Sequence, residues 1–161
     1  MSVALYPGSF DPFTNGHLNI LKHAAKIFDK VYLMVLMNPN KKRFTTIVDM
    51  ENLIRDIINN DKSLSNVEVA STTCGLTCKE AHRLGCDYLV RGIRNNGLDY
   101  SYEENLAEFN QEIGNINTIF IRADLNKSIS STMIKTLLMN GESISSYVPK
   151  QIDDYLRGYG L

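Results

Sequence analysis

The most informative feature of this chain is the segment Tyr6-Pro7-Gly8-Ser9-Phe10-Asp11-Pro12-Phe13-Thr14-Asn15-Gly16-His17. It follows a short apolar run at residues 3–5 and precedes an amphipathic stretch at residues 18–28, an order that predicts a strand, a glycine-containing turn and a helix. Glycines let backbone N–H groups approach a ligand closely, and a helix N-terminus favours an anion. We therefore expect His17 to lie beside a bound phosphate; a tight turn in which His17 only packs locally is the alternative.

Length and composition indicate one ordinary globular domain that spans residues 1–161. Apolar residues make up 43% of the chain and charged residues 22%, which is typical of such domains. The net charge of −1 argues against binding to nucleic acid through a general positive field. The longest apolar run, at residues 31–37, is too short to cross a bilayer. Because no signal peptide precedes the first strand, we expect no membrane partner and a cytoplasmic location.

The three cysteines and a histidine form a pattern that resembles a metal site. Cys74, Cys78, His82 and Cys86 recur every four residues. A helix of twelve residues spans ~18 Å, whereas metal–ligand bonds at zinc are ~2.0–2.3 Å, so the four cannot share one ion. Two of them could share one only if a second pair of ligands came from elsewhere in the chain. We predict no metal ligands here and reduced, structural cysteines, as expected for an odd thiol count without a secretory signal.

Apolar periodicity predicts an alternation of strands and helices along the whole chain. The strands are predicted at residues 2–6, 31–37, 67–70, 87–90 and 118–121, and the helices at residues 15–28, 46–60, 77–84, 100–113, 130–139 and 149–156. This spacing is typical of βαβ units, and right-handed crossovers place helices on both faces of a doubly wound parallel sheet. Ligands of such sheets lie outside the carboxyl ends of the strands.

Basic and hydroxyl residues follow several of the predicted strands, at the end where a ligand should lie. They include Ser9, His17, Lys41, Lys42, Arg43, Thr77, Arg91, Arg94, Lys127 and Ser128. Such convergence favours a substrate that carries several phosphates. The chain contains neither a G-x-x-x-x-G-K-[ST] nor a G-x-G-x-x-G motif near the glycine turn, nor a G-x-S-x-G elbow. These absences disfavour a P-loop NTPase, a dinucleotide-dependent dehydrogenase and an α/β-hydrolase.

Two further motifs support a phosphate site. Ile-Ser-Ser-Thr at residues 129–132 opens a predicted helix, where N–H and O–H groups can donate to phosphate, although helix capping is the commoner role of such residues. Arg-Gly-Ile-Arg at residues 91–94 is followed by Asp-Tyr-Ser-Tyr-Glu at residues 99–103. A solvated basic turn is the alternative reading of the second motif.

Together these motifs resemble the T/H-x-G-H nucleotidyltransferase superfamily and, over nearly the whole chain, the phosphopantetheine adenylyltransferase family. The resemblance implies a Rossmann-like α/β fold with strand order 3-2-1-4-5, Mg²⁺ bound together with ATP, and a homo-hexamer. It also implies transfer of adenylyl from ATP to 4'-phosphopantetheine, giving dephospho-coenzyme A and pyrophosphate. The chain departs from the family pattern at Thr132, where Ser is usual, at Ser101, where Glu is common, and between Arg94 and Asp99, which are separated by one residue more.

The resemblance also implies roles for individual residues. His17 would stabilise the transition state, and Lys41 and Arg91 would hold the phosphate of pantetheine; these three form the expected catalytic set. The residues expected to bind ATP are Ser9, Phe10, His17, Gly92, Ile93, Arg94, Glu103, Asn126, Lys127, Ser128, Ile129, Ser130, Ser131 and Thr132. The residues expected to bind 4'-phosphopantetheine are Ser9, Lys41, Leu76, Thr77 and Arg91.

Three other functions remain open at this point. A related adenylyl- or cytidylyltransferase acting on another phosphorylated substrate would share the turn and the Ser-Ser-Thr motif. A non-catalytic nucleotide-binding module would have no need of His17. A fragment of a class I aminoacyl-tRNA synthetase would share the fold, but the chain is short for it and lacks the net positive charge that tRNA binding favours.

Overall fold

A computed structural model describes residues 1–73, 75–93, 97–124 and 129–158, and of residues 97–105 it describes the backbone alone. The strands are β1 (Val3–Gly8), β2 (Lys30–Val35), β3 (Val67–Ala70), β4 (Tyr88–Ile93) and β5 (Asn117–Arg122). The helices are α1 (Asn15–Ile27), α2 (Ile47–Asn59), α3 (Thr77–Arg83), α4 (Gly97–Gly114), α5 (Ser131–Met139) and α6 (Lys150–Arg157), with a 3₁₀ turn at Lys62–Leu64.

The five strands form one parallel sheet in the order β3-β2-β1-β4-β5, which confirms the predicted fold class and strand order. β1 pairs with β2 along its whole length, from Val3 opposite Lys30 to Gly8 opposite Val35. On its other side β1 pairs with β4, so the direction of chain progression reverses between these two strands. A ligand crevice is expected at this switch point, beyond the carboxyl end of β1.

Capping residues set the starts of three helices. Thr14 precedes α1, and the side-chain hydroxyls of Thr46 and Ser130 accept hydrogen bonds from the third residues of α2 and α5. Two of these helices therefore begin one residue later than the apolar pattern predicts, since a capping residue keeps an extended backbone. Residues at such boundaries are the least predictable from local sequence.

β4 is longer than predicted, and this changes the setting of two expected site residues. The strand was predicted to end at residue 90, but Arg91, Gly92 and Ile93 continue to pair with β5 up to Arg122. Arg91 and Gly92 therefore lie within the rigid sheet. Their positions are set by backbone pairing with a neighbouring strand, which local periodicity does not reveal.

Apolar side chains cover both faces of the sheet, as a central parallel sheet requires. Leu33 of β2 belongs to the larger core beneath α1, α2, α5 and α6, and its neighbour Met34 belongs to a smaller core on the opposite face. Cys78 and Cys86 lie in the smaller core as unpaired thiols, and burial raises the pKa of Cys86 to about 11. Cys74 lies outside the described residues. No helix in the described part of the chain has the length and apolar composition of a membrane span.

Candidate active site

A cavity of about 350 Å³ opens at the switch point. It is bordered by the end of β1 and the turn after it, the first turn of α1, the end of β4 and the start of α5. Its described lining residues are Tyr6, Pro7, Gly8, Ser9, Phe10, Gly16, His17, Ile20, Lys41, Arg91, Gly92, Ile93, Ala123, Ile129, Ser130, Ser131 and Thr132. We call this space the nucleotide cavity, after the ligand that the sequence predicts for it.

The turn after β1, residues 8–14, is tightly packed, and we call it the glycine turn. Phe10 has a positive φ of 44°, which turns its ring back over Gly8. A Cβ atom at Gly8 would lie 2.8 Å from the Phe10 ring, so only glycine allows this approach. The ring makes edge contacts with Tyr6 at 5.3 Å and with Phe13 at 5.5 Å between centroids. Contacts with neighbouring aromatic rings therefore fix the position of the Phe10 side chain at the cavity wall.

His17 is fixed by the cap of its own helix. Its Nδ1 accepts a hydrogen bond from the backbone N–H of Thr14 at 3.0 Å, and its backbone N–H donates to the Thr14 hydroxyl at 3.4 Å. The imidazole stacks on Phe13 at 5.6 Å and meets the edge of Phe10 at 5.0 Å. Because a backbone N–H can only donate, Nδ1 must be unprotonated, and the proton of the neutral ring resides on Nε2. His17 is thus prepared as a hydrogen-bond donor through Nε2.

The end of β4 forms the opposite wall. The Arg91 guanidinium donates to the carbonyl oxygen of Pro7 at 3.0 Å, which holds the arginine across β1 and beside the cavity. A Cβ atom at Gly92 would lie 2.9 Å from Cγ1 of Ile20. Gly92 therefore lets α1 approach the sheet closely and brings His17 and Arg91 to the same space.

The start of α5 adds donors for an anion. The Ser130 hydroxyl caps the helix by accepting from the Met133 N–H at 3.1 Å, and the Ser131 hydroxyl donates to the Pro12 carbonyl oxygen at 2.9 Å. These hydroxyls fix the helix start against the glycine turn. Ser131 and Thr132 line the cavity, and as the first residues of α5 they carry N–H groups without an intrahelical acceptor, at the positive end of the helix dipole.

A second cavity of about 330 Å³ adjoins the first, and the two share Ser9, Lys41, Ser131 and Thr132. Its other described lining residues are Asp11, Asn38, Lys42, Arg43 and Lys135. Lys41 and Lys42 are exposed, so their ammonium groups can adjust to a ligand. Of the described residues that line either cavity, Asp11 alone carries a carboxylate.

Asp11 joins the glycine turn to the segment before α2 and to α5. Its carboxylate accepts hydrogen bonds from the N–H groups of Phe44 and Thr45 and from the Thr45 hydroxyl, each at 2.7 Å, and from Lys135 at 3.2 Å. Burial by itself would raise the pKa of Asp11, but these hydrogen bonds and the Lys135 charge outweigh it and lower the pKa below its ordinary value. Asp11 is therefore a charged anchor of the site.

The structure brings most of the expected site residues together. Ser9, Phe10, His17, Lys41, Arg91, Gly92, Ile93, Ile129, Ser130, Ser131 and Thr132 all line the nucleotide cavity. Leu76 and Thr77 do not; they lie at the start of α3, with Leu76 exposed at its N-cap. Arg94, Asn126, Lys127 and Ser128 lie outside the described residues, as does the side chain of Glu103. Among the residues described, no group of three or more His, Cys, Asp or Glu side chains could hold a metal ion.

Sequence reasoning missed the anchoring role of Asp11 and Lys135 and treated Arg43 as one more cation facing the ligand. A signal for Asp11 was present, because an aspartate flanked by Phe10 and Pro12 within a buried motif must find donors. The identity of those donors, 33 to 124 residues away in the chain, had no local signal.

Comparison with known proteins shows the family to which the chain belongs. The family model described as "Cytidylyltransferase-like" matches residues 5–137. A protein of Leuconostoc mesenteroides named phosphopantetheine adenylyltransferase is 40% identical over 159 residues, which cover 98% of this chain and 95% of the relative. A protein of the same name from Streptococcus pneumoniae is 39% identical over 157 residues, covering 96% and 94%.

A solved structure of similar fold is the Plasmodium falciparum nicotinic acid mononucleotide adenylyltransferase in complex with NaAD. Its TM-score is 0.70 at 17% identity, and the match covers 99% of this chain and 96% of that one. This likeness concerns the fold. The full-length relatives and the matching family model assign the family: the chain belongs to the phosphopantetheine adenylyltransferases, nucleotidyltransferases of the cytidylyltransferase-like group.

Proposed function

We propose that this chain transfers the adenylyl group of ATP to 4'-phosphopantetheine, giving dephospho-coenzyme A and pyrophosphate in coenzyme A biosynthesis. The convergence of His17, Lys41 and Arg91 on one cavity at the switch point carries the proposal. It gains support from the names of the relatives that match the chain over almost its whole length.

The nucleophile of this reaction needs no general base. A phosphate monoester has a second pKa of ~6 and is mostly dianionic at neutral pH. One of its oxygens attacks the α-phosphorus in line, a new P–O bond forms, and the bond to the leaving pyrophosphate breaks without a covalent intermediate. The enzyme aligns the reactants and neutralises charge, which suits a cavity whose polar lining consists of cations, hydroxyls and N–H groups.

His17 acts on the charge that develops at the α-phosphate. The Thr14 cap leaves the proton of the neutral ring on Nε2, and Phe10 and Phe13 fix the ring plane. A donor held in place before the reaction stabilises a transition state without a cost for reorganisation. This fits a role for the Nε2–H as donor to a non-bridging α-phosphate oxygen.

The other residues divide between the two substrates. Lys41 and Arg91 hold the attacking phosphate of 4'-phosphopantetheine, and Ser9 bridges this substrate and ATP. The start of α5, from Ser130 to Thr132, takes the β- and γ-phosphates together with Arg94. Further contacts to ATP come from Phe10, Gly92, Ile93, Glu103, Asn126, Lys127, Ser128 and Ile129. Leu76 and Thr77 receive the pantetheine arm, which extends beyond the cavity toward α3.

Mg²⁺ enters with ATP as part of the substrate. Asp11, the one carboxylate on the described cavity walls, is occupied by Thr45, Phe44 and Lys135. The ion therefore relies on phosphate oxygens and water, as Mg²⁺ commonly does in nucleotide sites.

A second candidate is transfer of a nucleotidyl group to another phosphorylated substrate. The breadth of the cytidylyltransferase-like family model and the mononucleotide adenylyltransferase of similar fold favour it. The two candidates differ in acceptor and in nucleotide.

One incubation series separates them. The protein is mixed with Mg²⁺ and ATP or CTP, with and without 4'-phosphopantetheine, and with nicotinate mononucleotide as an alternative acceptor. We expect pyrophosphate and dephospho-coenzyme A in equal amounts only with ATP and 4'-phosphopantetheine. Pyrophosphate release that does not depend on phosphopantetheine, or that follows another acceptor, would refute the proposal.

We also propose, on the family resemblance, that the chain forms a homo-hexamer and works in the cytoplasm. Light scattering coupled to size exclusion would test the hexamer. A molar mass that corresponds to one or two chains would refute it.

A further inference from the structure

Arg43 differs from the two cations that precede it. Residues 36–45, between β2 and α2, carry Lys41, Lys42 and Arg43, and we call this segment the lysine loop. Both lysines are exposed, whereas the Arg43 side chain is only 12% exposed. Arg43 borders the second cavity but is not among the residues that line the nucleotide cavity.

The Arg43 guanidinium is occupied by main-chain carbonyl oxygens. Nη1 donates to Ser9 at 2.7 Å and to Leu36 at 3.3 Å, and Nε donates to Thr45 at 2.9 Å. Ser9 belongs to the glycine turn, while Leu36 and Thr45 are the two ends of the lysine loop. One side chain therefore joins three points of the backbone.

Asp11 contacts both Arg43 and the end of the lysine loop. Its Oδ1 lies 3.9 Å from Nη2 of Arg43, and the same carboxylate accepts the N–H groups of Phe44 and Thr45. Burial by itself lowers the pKa of Arg43, and the charge of Asp11 opposes that effect. Main-chain carbonyls already accept the Nε and Nη1 donors of Arg43, and the Asp11 carboxylate lies beside Nη2, so Arg43 is a poorer phosphate ligand than the two exposed lysines.

We propose that Arg43 is a positioning residue that ties the Ser9 carbonyl to both ends of the lysine loop and so sets the distance between the glycine turn and Lys41. The inference rests on the proposed function, in which Ser9 and Lys41 meet the attacking phosphate. An error of about 1 Å in the placement of reactants can cost ~10²-fold in rate. The geometry also requires arginine, because a lysine ammonium cannot reproduce the planar fork that serves several acceptors at once.

The test uses Arg43→Lys and Arg43→Met, with Arg157→Met as the matched control. Arg157 also pairs with a buried aspartate, Asp153, but on α6, so its loss lowers stability without touching the glycine turn. For each variant, kcat, KM for both substrates and the melting temperature are measured. Hydrogen exchange of the Leu36, Phe44 and Thr45 amides, which donate to Gly8 and Asp11, is followed without ligands.

Both Arg43 variants should lower kcat/KM for phosphopantetheine by about 10–100-fold, mainly by raising KM, with a smaller change in KM for ATP. Exchange of the three amides should accelerate at least about tenfold, while Arg157→Met leaves kcat and these amides unchanged. A wild-type kcat/KM for phosphopantetheine in Arg43→Lys would show that charge alone matters and would overturn the proposal. Unchanged amide exchange would overturn it as well. Absence of any product from the wild-type protein would refute the proposed function instead. The amide exchange rates would still test whether Arg43 holds the ends of the lysine loop.

Discussion

The glycine turn and the lysine loop both border the nucleotide cavity, but they are built in opposite ways. Phe10, Asp11, Phe13 and Thr14 of the turn are all buried, and His17 after it is held by a helix cap and two aromatic rings. The loop instead presents Lys41 and Lys42 on exposed side chains. Asp11 and Arg43 tie the ends of the loop to the glycine turn.

This contrast assigns different tasks to the two regions. A donor whose position is fixed before the ligand arrives can favour the transition state over the ground state, which raises kcat. A flexible ammonium adapts to bound substrate in both states, and it therefore contributes mainly to affinity. We expect substitutions in the turn to act on turnover and substitutions in the loop to act on binding.

The largest expected effect is that of His17→Ala. Loss of one fixed donor to the reacting group typically costs ~10²–10³ in kcat, while both dissociation constants should stay within about threefold. Steady-state kinetics, calorimetric titration and thermal unfolding on the same variant measure these quantities. A lower melting temperature with near-normal kcat would make His17 a packing residue and remove the contrast.

Lys41→Ala and Arg91→Ala should mainly weaken the binding of 4'-phosphopantetheine. Hydrogen bonds to charged groups contribute about 1.5–3 kcal/mol, so the dissociation constant should rise about 10–100-fold, with a smaller change for ATP. Lys42→Ala is the matched control, because Lys42 lines only the second cavity, and it should cost less than about threefold. Equal losses for both substrates would withdraw the assignment of Lys41 and Arg91 to the acceptor.

Gly8→Ala tests the packing of the turn. The new Cβ atom would lie 2.8 Å from the Phe10 ring, which cannot move without disturbing Tyr6, Phe13 and His17. Overpacking of this kind costs about 1–3 kcal/mol of unfolding free energy, and we expect kcat to fall about tenfold. Gly75→Ala is the control, since a Cβ atom there meets nothing within 4 Å. Equal stabilities of the two variants in urea would contradict the packing argument.

The smallest effect concerns the anchor between the two regions. The pKa of Asp11 is lower in the folded chain than its ordinary value of 3.8, so its charge stabilises the fold above about pH 4, and this contribution is lost as the pH falls below that. Asp11→Asn should cost about 1–3 kcal/mol at pH 7, because an amide group cannot accept all these donors.

Urea unfolding of this variant at pH 7, 4 and 3 provides the measurement. The difference in unfolding free energy between Asp11→Asn and wild type should shrink as the pH falls, because protonation of Asp11 weakens the same hydrogen bonds in the wild-type protein. Asp154→Asn removes a highly exposed pair with Lys150 and should change little at any pH. A constant difference for Asp11→Asn across the series would show that its charge is not what stabilises the anchor.

Local sequence predicted the parts of the molecule that depend on local physics. The bounds of β3 match at Val67–Ala70, and the Thr14–His17 region begins a helix as the turn and periodicity predict. The motif residues Gly8, His17 and Ser130 to Thr132 do meet at one cavity. Glycine turns and helix starts are encoded over a few residues, which explains this success.

The remaining features depend on contacts between distant parts of the chain. Arg91 lies in a strand because β5 pairs with it, and the Arg43 guanidinium is held against the backbone because the Ser9 and Leu36 carbonyl oxygens accept its hydrogen bonds. A basic residue in a sequence carries the same charge whether it binds a phosphate or a backbone carbonyl. Only the three-dimensional arrangement separates Lys41 from Arg43.

Single-turnover adenylyl transfer at saturating ATP and 4'-phosphopantetheine tests the contrast most directly, because saturation removes every effect on binding. Wild type, His17→Ala and Lys41→Ala are mixed in a quenched-flow instrument, and formation of dephospho-coenzyme A is followed. We predict that the single-turnover rate of Lys41→Ala at saturation lies within about fivefold of the wild-type rate, whereas that of His17→Ala stays ~10²–10³ slower. Recovery of His17→Ala to the wild-type rate would contradict the account, as would an equally slow Lys41→Ala.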